Sequence, residues 1–201
     1  MKGAYKDAVL FGAVFLLLLA GFVLADTITT SVRFVIPSNV AFAIAIPANS
    51  STFVASGSTD QIVFNTSLQS SNGVNASVIQ SGLTHFQNAN VAIFLYRNDG
   101  NQDINITQTL SATPTCTGGS LELKAANSST GYENSCSSNT TLNTTNCINI
   151  TIGNQAKVVI GLPDTAPDNI SIWMWADFNT CDVGLDTSVT LTHNSTASGG
   201  T

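Results

Sequence analysis

Charge is what this chain has least of. Charged residues make up 9% of its 201 residues, where an ordinary soluble domain carries about a quarter. Lys and Arg number six against twelve Asp and Glu, for a net charge of -6, which excludes the basic face that nucleic acid requires. Histidine is nearly missing too, with only His85 and His193. The four cysteines lack the short spacing of zinc-ligand pairs. There is no Gly-x-Ser-x-Gly elbow, phosphate-cradling glycine loop or close carboxylate pair, so no catalytic machinery is expected and no cofactor is implied. In place of charge the chain carries 20 Asn, 22 Ser and 25 Thr.

The first 25 residues form the longest apolar stretch. A short basic start (Lys2, Lys6) precedes an uncharged run over 8–25 that ends in Val23-Leu24-Ala25 before Asp26. That layout is a secretory signal with a small-residue cleavage site. Its 18 residues also reach the length of a membrane span. Cleavage after Ala25 is the favoured reading, followed by retention as an anchor helix. A third is pilin-type cutting near Lys2-Gly3-Ala4, against which Tyr5, Lys6 and Asp7 stand where such helices turn apolar at once. All three export the remainder and place it outside the cell.

Cys116, Cys136, Cys147 and Cys181 agree with export: an even set in an oxidising compartment defaults to two disulfides. Three connectivities are open. Cys136 with Cys147, closing the loop between them, and Cys116 with Cys181, tying two strand ends, is the preferred one. Ten sequons (Asn49, Asn65, Asn75, Asn105, Asn127, Asn139, Asn143, Asn149, Asn169 and Asn194) predict heavy N-glycosylation, with glycans hydrating a surface poor in charge. Asn105 and Asn149 alternate with isoleucines, so their side chains are expected on a wet face of a sheet.

Period-2 alternation runs through the rest of the chain. Ile28, Val32, Phe34 and Ile36 share one face of a first strand, and the pattern resumes at Val40, Phe42, Ile44 and Ile46. Further runs cover 62–64, 74–79, 91–97, 104–110, 121–125, 148–152, 158–162, 170–178 and 189–193, separated by Asn, Asp, Gly and Pro turns. About eleven short strands without helical period predict an all-β fold, an Ig-like or jelly-roll antiparallel sandwich. The expected organisation is a signal or anchor at 1–25, a sandwich over 26–193 with a polar, disulfide-tied insertion at 114–147, and a flexible tail at 194–201.

Three local features carry sharper expectations. Asp99-Gly100 between alternating runs predicts a hairpin joining 91–97 to 103–110. Its Asp99, Asn101 and Asp103 also have the oxygen spacing of a calcium loop, although Ile104 replaces the required glycine and no Glu closes the loop; the plain turn is preferred. In the strand 170–178, Ile170, Ile172, Met174, Ala176 and Phe178 share one face, while Trp173, Trp175 and Asp177 share the other. Burial on both faces is expected; the alternative is an aromatic pair that binds sugars or a neighbouring subunit. Isopeptide crosslinking to an asparagine would need Lys124 or Lys157 buried. Lys124 points away from Leu121 and Leu123, and a surface lysine is expected there.

The signal, the strand 26–36, the Arg97-Asn98-Asp99-Gly100-Asn101 turn and the late Ile172-Trp173-Met174-Trp175-Ala176-Asp177-Phe178 strand give a layout that resembles exported β-sandwich subunits of archaeal surface filaments (bundling pili and threads) and, more distantly, TasA/camelysin-type fibre proteins. The resemblance implies a non-enzymatic, self-associating cell-surface subunit. It also implies that Ile28, Val32, Phe34 and Ile36 act as a strand donated to the next subunit. The preferred reading of the same segment is the first strand of its own sandwich. A glycan-binding adhesin using Trp173 and Trp175 is the competing class.

Overall fold

The computed structural model describes residues 39–54, 60–136, 141–142, 146–153, 155–182, 184 and 187–199. The signal and the candidate donor strand, with Ile28, Val32, Phe34 and Ile36, lie outside the described residues. Those that are described fall within the unit Pro37–Thr201 and form thirteen strands and no α-helix. Every strand pair is antiparallel.

The larger sheet is organised by β12 (Asn169–Asn179), the apolar strand with two tryptophans. Along one edge it pairs with β9 (Gly119–Ala126) from Trp173 to Asn179. Its other edge is shared. β6 (Phe94–Asn98) takes Asn169 to Ile172, and β4 (Ser71–Gln80) takes over from Trp175. Met174, at the changeover, has its backbone satisfied by a side chain: Gln87 accepts from the Met174 N–H at 2.7 Å and donates to its carbonyl at 2.8 Å. A glutamine amide thus fills one rung of the ladder, because an unpaired buried peptide group costs about 1–3 kcal/mol.

Around this axis, β1 (Phe42–Ala45) and β2 (Phe53–Val54) extend the sheet beyond β6, and β10 (Ile148–Ile150) extends it beyond β9. β3 (Gln61–Phe64) and β5 (Leu83–Phe86) flank β4, and β8 (Thr115–Cys116) pairs with β9. The second sheet has three strands, β11 (Ala156–Leu162), β7 (Ile104–Leu110) and β13 (Leu191–Ala197), with β7 in the centre. Ile44, Phe94, Tyr96, Ile172 and Met174 of the large sheet join Ile104, Ile106, Val158 and Leu162 of the small one in a single buried cluster.

Three expectations are corrected. The Asp99-Gly100 turn is no hairpin, because β6 and β7 lie in different sheets; the turn is a corner between them. Asn98 builds that corner. Its side chain is buried, donates to the carbonyls of Gln102 (3.0 Å) and Leu162 (2.9 Å), and accepts from Gly100 N–H at 2.9 Å. Leu162 ends β11, so one amide ties the sheets together. Secondly, the polar stretch is no insertion from 114 onward, since β9 is a central strand between β12 and β10; of the described residues, 127–136 lie outside the strands. Thirdly, the tail is not loose from Asn194: β13 continues to Ala197, which pairs with Ile104. The second edge of β7 needs a partner along its length, and the polar Thr, Asn and Ser of β13 serve where one face is wet.

The corner predicts that Asn98→Ala, which strands two carbonyls and one N–H, destabilises the domain by about 3 kcal/mol, read as a lower denaturation midpoint with unchanged slope.

Candidate functional site

The densest chemistry lies on the outer face of β12 and β9. Antiparallel register places Trp175 opposite Lys124 and Asp177 opposite Glu122, so all four side chains share one face. This face is not solvent. The chain leaving β9 folds back over it, and residues 131–134 roof the pair. Tyr132 stacks at a tilt on Trp175, with ring centroids 5.8 Å apart. Gly73 makes room for that ring: a Cβ there would lie 2.9 Å from Tyr132 Cε1.

Under this roof Lys124 is fully buried and forms an ion pair with Asp177, whose side chain is 4% exposed. Lys124 Nζ donates to Asp177 Oδ2, to the Asn134 carbonyl at 2.7 Å and to the Glu133 carbonyl at 3.2 Å. The other carboxylate oxygen, Oδ1, accepts from Gly73 N–H at 2.7 Å and from the Tyr132 hydroxyl at 2.9 Å. Burial first, and Asp177 second, pushes the Tyr132 hydroxyl up to about 12, so it remains a donor at neutral pH. Glu122 Oε2, half-exposed, stands 3.7 Å from Lys124 Nζ. Every proton of the ammonium and both oxygens of the carboxylate are engaged, which a buried pair requires.

The expected surface lysine is therefore overturned. Alternation placed Lys124 on the right face; the covering segment, invisible to a period-2 pattern, made that face interior. One signal was present. Asp177 lies between Ala176 and Phe178 in the most apolar strand, and a carboxylate there needs a cation. After residue 25 the only basic side chains of the sequence are Arg33, Arg97, Lys124 and Lys157.

The aromatic pair is likewise not a free platform. Trp175 is 4% exposed beneath Tyr132. Trp173 is half-buried, its indole N–H donating to the Asn88 carbonyl at 2.9 Å. The candidate calcium oxygens serve the corner: Asp99 pairs with Arg97 at 2.6 Å, and Asn101 Oδ1 accepts from Asn39 N–H at 2.7 Å. Asp103 is exposed beside them, its carbonyl accepting from Ser198 N–H at 2.8 Å. Among the described residues no three metal-ligating side chains converge.

Both disulfides join the preferred partners. Cys116–Cys181 ties β8 to the chain just beyond β12, and Cys136–Cys147 ties the chain just after the roof to the residue before β10. They are compatible with an oxidising environment. Of the sequons, Asn49, Asn65, Asn75, Asn127, Asn169 and Asn194 are exposed, while Asn139 and Asn143 lie outside the described residues. Asn105 departs from its expected wet face. Its residue is 9% exposed, and Oδ1 accepts from Gly161 N–H at 3.0 Å. The cause is a bulge in β11 between Val159 and Leu162, where Gly161 adopts φ 59°; its N–H, freed from the ladder, needs an acceptor. Asn149 is half-buried with Oδ1 covered and unpartnered.

A second polar cluster lies between the sheets. Gln108 donates to Tyr96 Oη at 2.7 Å, and Tyr96 Oη meets His193 Nδ1 at 2.7 Å. Phe94 packs edge-on to the imidazole at 4.9 Å. Burial holds Tyr96 protonated, far above its ordinary range, and lowers His193 from 6.5 to about 4. The neutral imidazole Nδ1 therefore accepts a hydrogen bond from the Tyr96 hydroxyl.

Comparison of the chain with protein-family models, curated proteins and solved structures gives no match. What can be stated is the class: an all-β protein of two antiparallel sheets, crosslinked by two disulfides.

His193 sets a pH dependence. Below about pH 6.5 the unfolded chain takes up a proton that the folded chain refuses until about pH 4, so stability falls across that window as pH drops, by up to about 3 kcal/mol. Denaturant titrations from pH 7 to 4 should show a shallower slope for His193→Gln, which keeps an acceptor but does not titrate.

Proposed function

We propose that this protein is an exported, N-glycosylated structural subunit of the cell surface, built on an Ig-like or jelly-roll sandwich and assembled into filaments or a layer by β-strand addition. The observation that carries the reading is the edge of β13. Among the described residues it pairs with β7 on one side only, and its seven residues, Leu-Thr-His-Asn-Ser-Thr-Ala, contain no Lys, no Pro and no acidic group. Edges that must stay single are blunted by such residues; this one is left fit for another strand. The segment with Ile28, Val32, Phe34 and Ile36 has the alternation that such an edge accepts, and the filament subunits that the layout resembles use a strand in this way. The absence of a catalytic constellation in the sequence, a surface rich in Asn, Ser and Thr, and two disulfides all support a structural role outside the cell. A glycan-binding role for Trp173 and Trp175 loses support because Tyr132 covers one of them.

Deleting residues 26–36 tests strand addition. The full-length mature chain should form multimers visible by electron microscopy, and the deletion variant should remain a folded monomer that a synthetic 26–36 peptide binds. Undiminished assembly overturns the reading. A variant that fails to fold makes the segment a strand of its own domain instead.

Glycopeptide mass spectrometry of native protein should find occupancy among Asn49, Asn65, Asn75, Asn127, Asn169 and Asn194 and none at Asn105, whose amide belongs to the β11 bulge.

A further inference from the structure

We propose that Lys124 and Asp177 condense to an intramolecular isopeptide bond, with Glu122 as the proton carrier, so that β9 and β12 are covalently joined. The inference rests on the roofed cluster alone and holds whether or not subunits exchange strands.

The geometry meets each requirement of amide formation. The nucleophile, Lys124 Nζ, is already in hydrogen-bond contact with Asp177 Oδ2, on a neighbouring strand that cannot drift. Such fixed proximity is worth a large effective concentration. Proton transfer from Nζ to Oδ2 within the pair gives an amine facing a carboxylic acid. Nζ then attacks Cγ, its lone pair forming the new bond, and the carbonyl electrons move onto Oδ1. That oxygen is held by Gly73 N–H (2.7 Å) and lies 2.9 Å from the Tyr132 hydroxyl, whose single proton is shared with Asn134 Oδ1 at 2.9 Å; both groups are aimed where negative charge develops.

Glu122, opposite Asp177 in the ladder and 3.7 Å from Nζ, takes a proton from the attacking nitrogen and returns it to Oδ2. The Cγ–Oδ2 bond breaks and Oδ2 leaves as water. The balance is an ammonium and a carboxylate converted to a secondary amide and one water, with no oxidant or cofactor. The remaining amide N–H keeps the Asn134 carbonyl as acceptor, and Oδ1 keeps both donors. Two buried charges are replaced by one satisfied amide, removing the desolvation cost that the ion pair carries.

The test is a tryptic map of the full chain, purified from its exported form, reduced, alkylated, deglycosylated and fully denatured. A bonded Lys124 resists trypsin, so 98–157 should remain uncut at that residue and be joined to 158–201, one water lighter than their sum. Recovery of separate 98–124, 125–157 and 158–201 peptides at unmodified mass overturns the proposal and leaves an ion pair. Lys124→Met and Asp177→Ala remove the bond but risk the fold. Glu122→Gln, at a half-exposed position, is therefore the decisive variant. It should fold with both disulfides intact and form the crosslink about a hundredfold more slowly or less; linking at the wild-type rate overturns the role given to Glu122.

Discussion

The backbone of β12 must be hydrogen-bonded on both edges and covered on both faces, and most of this molecule follows from that requirement. Eleven residues, mostly apolar, run through the middle of the larger sheet. On the inner side, Ile172 and Met174 meet the three-stranded sheet in the common core. Along one edge no single neighbour is long enough. β6 and β4 divide it, and Gln87 fills the rung between them. The outer face presents Trp175 and Asp177, and neither tolerates exposure or isolation well: the indole wants cover and the carboxylate, once covered, wants a cation. The segment after β9 answers both needs through Tyr132 and the carbonyls of Glu133 and Asn134, with Lys124 between. The Cys136–Cys147 bridge fastens the chain just after this roof to the residue that precedes β10. A loop with little apolar content could not hold there by burial alone.

The scarcity of charge acquires a structural meaning in this light. One of the few basic residues is spent inside the domain, and Arg97 is bound to Asp99 at the corner. Amide side chains take roles elsewhere that backbone or charge usually fills: Asn98 at the turn between sheets, Asn105 at the β11 bulge, Gln87 on β12, Gln108 on Tyr96. Amides suit these positions because each offers a donor and an acceptor without the desolvation cost of an ion. The abundance of Asn is therefore divided between surface sequons and internal joints, and sequence pattern does not separate the two. Asn105 has the sequon and the alternation of a surface site, yet it satisfies a buried peptide group.

The strands themselves were largely legible. Each expected run beyond residue 39 overlaps a strand, because side chains that alternate in sequence must alternate in space. The short strands β2, β5 and β8 escaped notice, having two to four residues and little contrast between faces. β13 was cut short because its last residues, Asn194-Ser195-Thr196-Ala197, are polar and read as a tail. Asp99-Gly100 has the local chemistry of a hairpin turn, which a sheet-to-sheet corner shares. What decides between them is the partner each flanking strand finds, at distances in sequence that no turn motif encodes.

The sequence by itself determined the class: alternating strands and four cysteines able to pair. These are local properties, fixed by residue type and spacing. Tertiary structure decided which faces are solvent. The covering loop turned the outer face at Lys124, Trp175 and Asp177 into interior, and the bulge at Gly161 drew Asn105 inward. The physical reason is that periodicity assigns a side chain to a face, whereas burial of that face depends on another part of the chain arriving there.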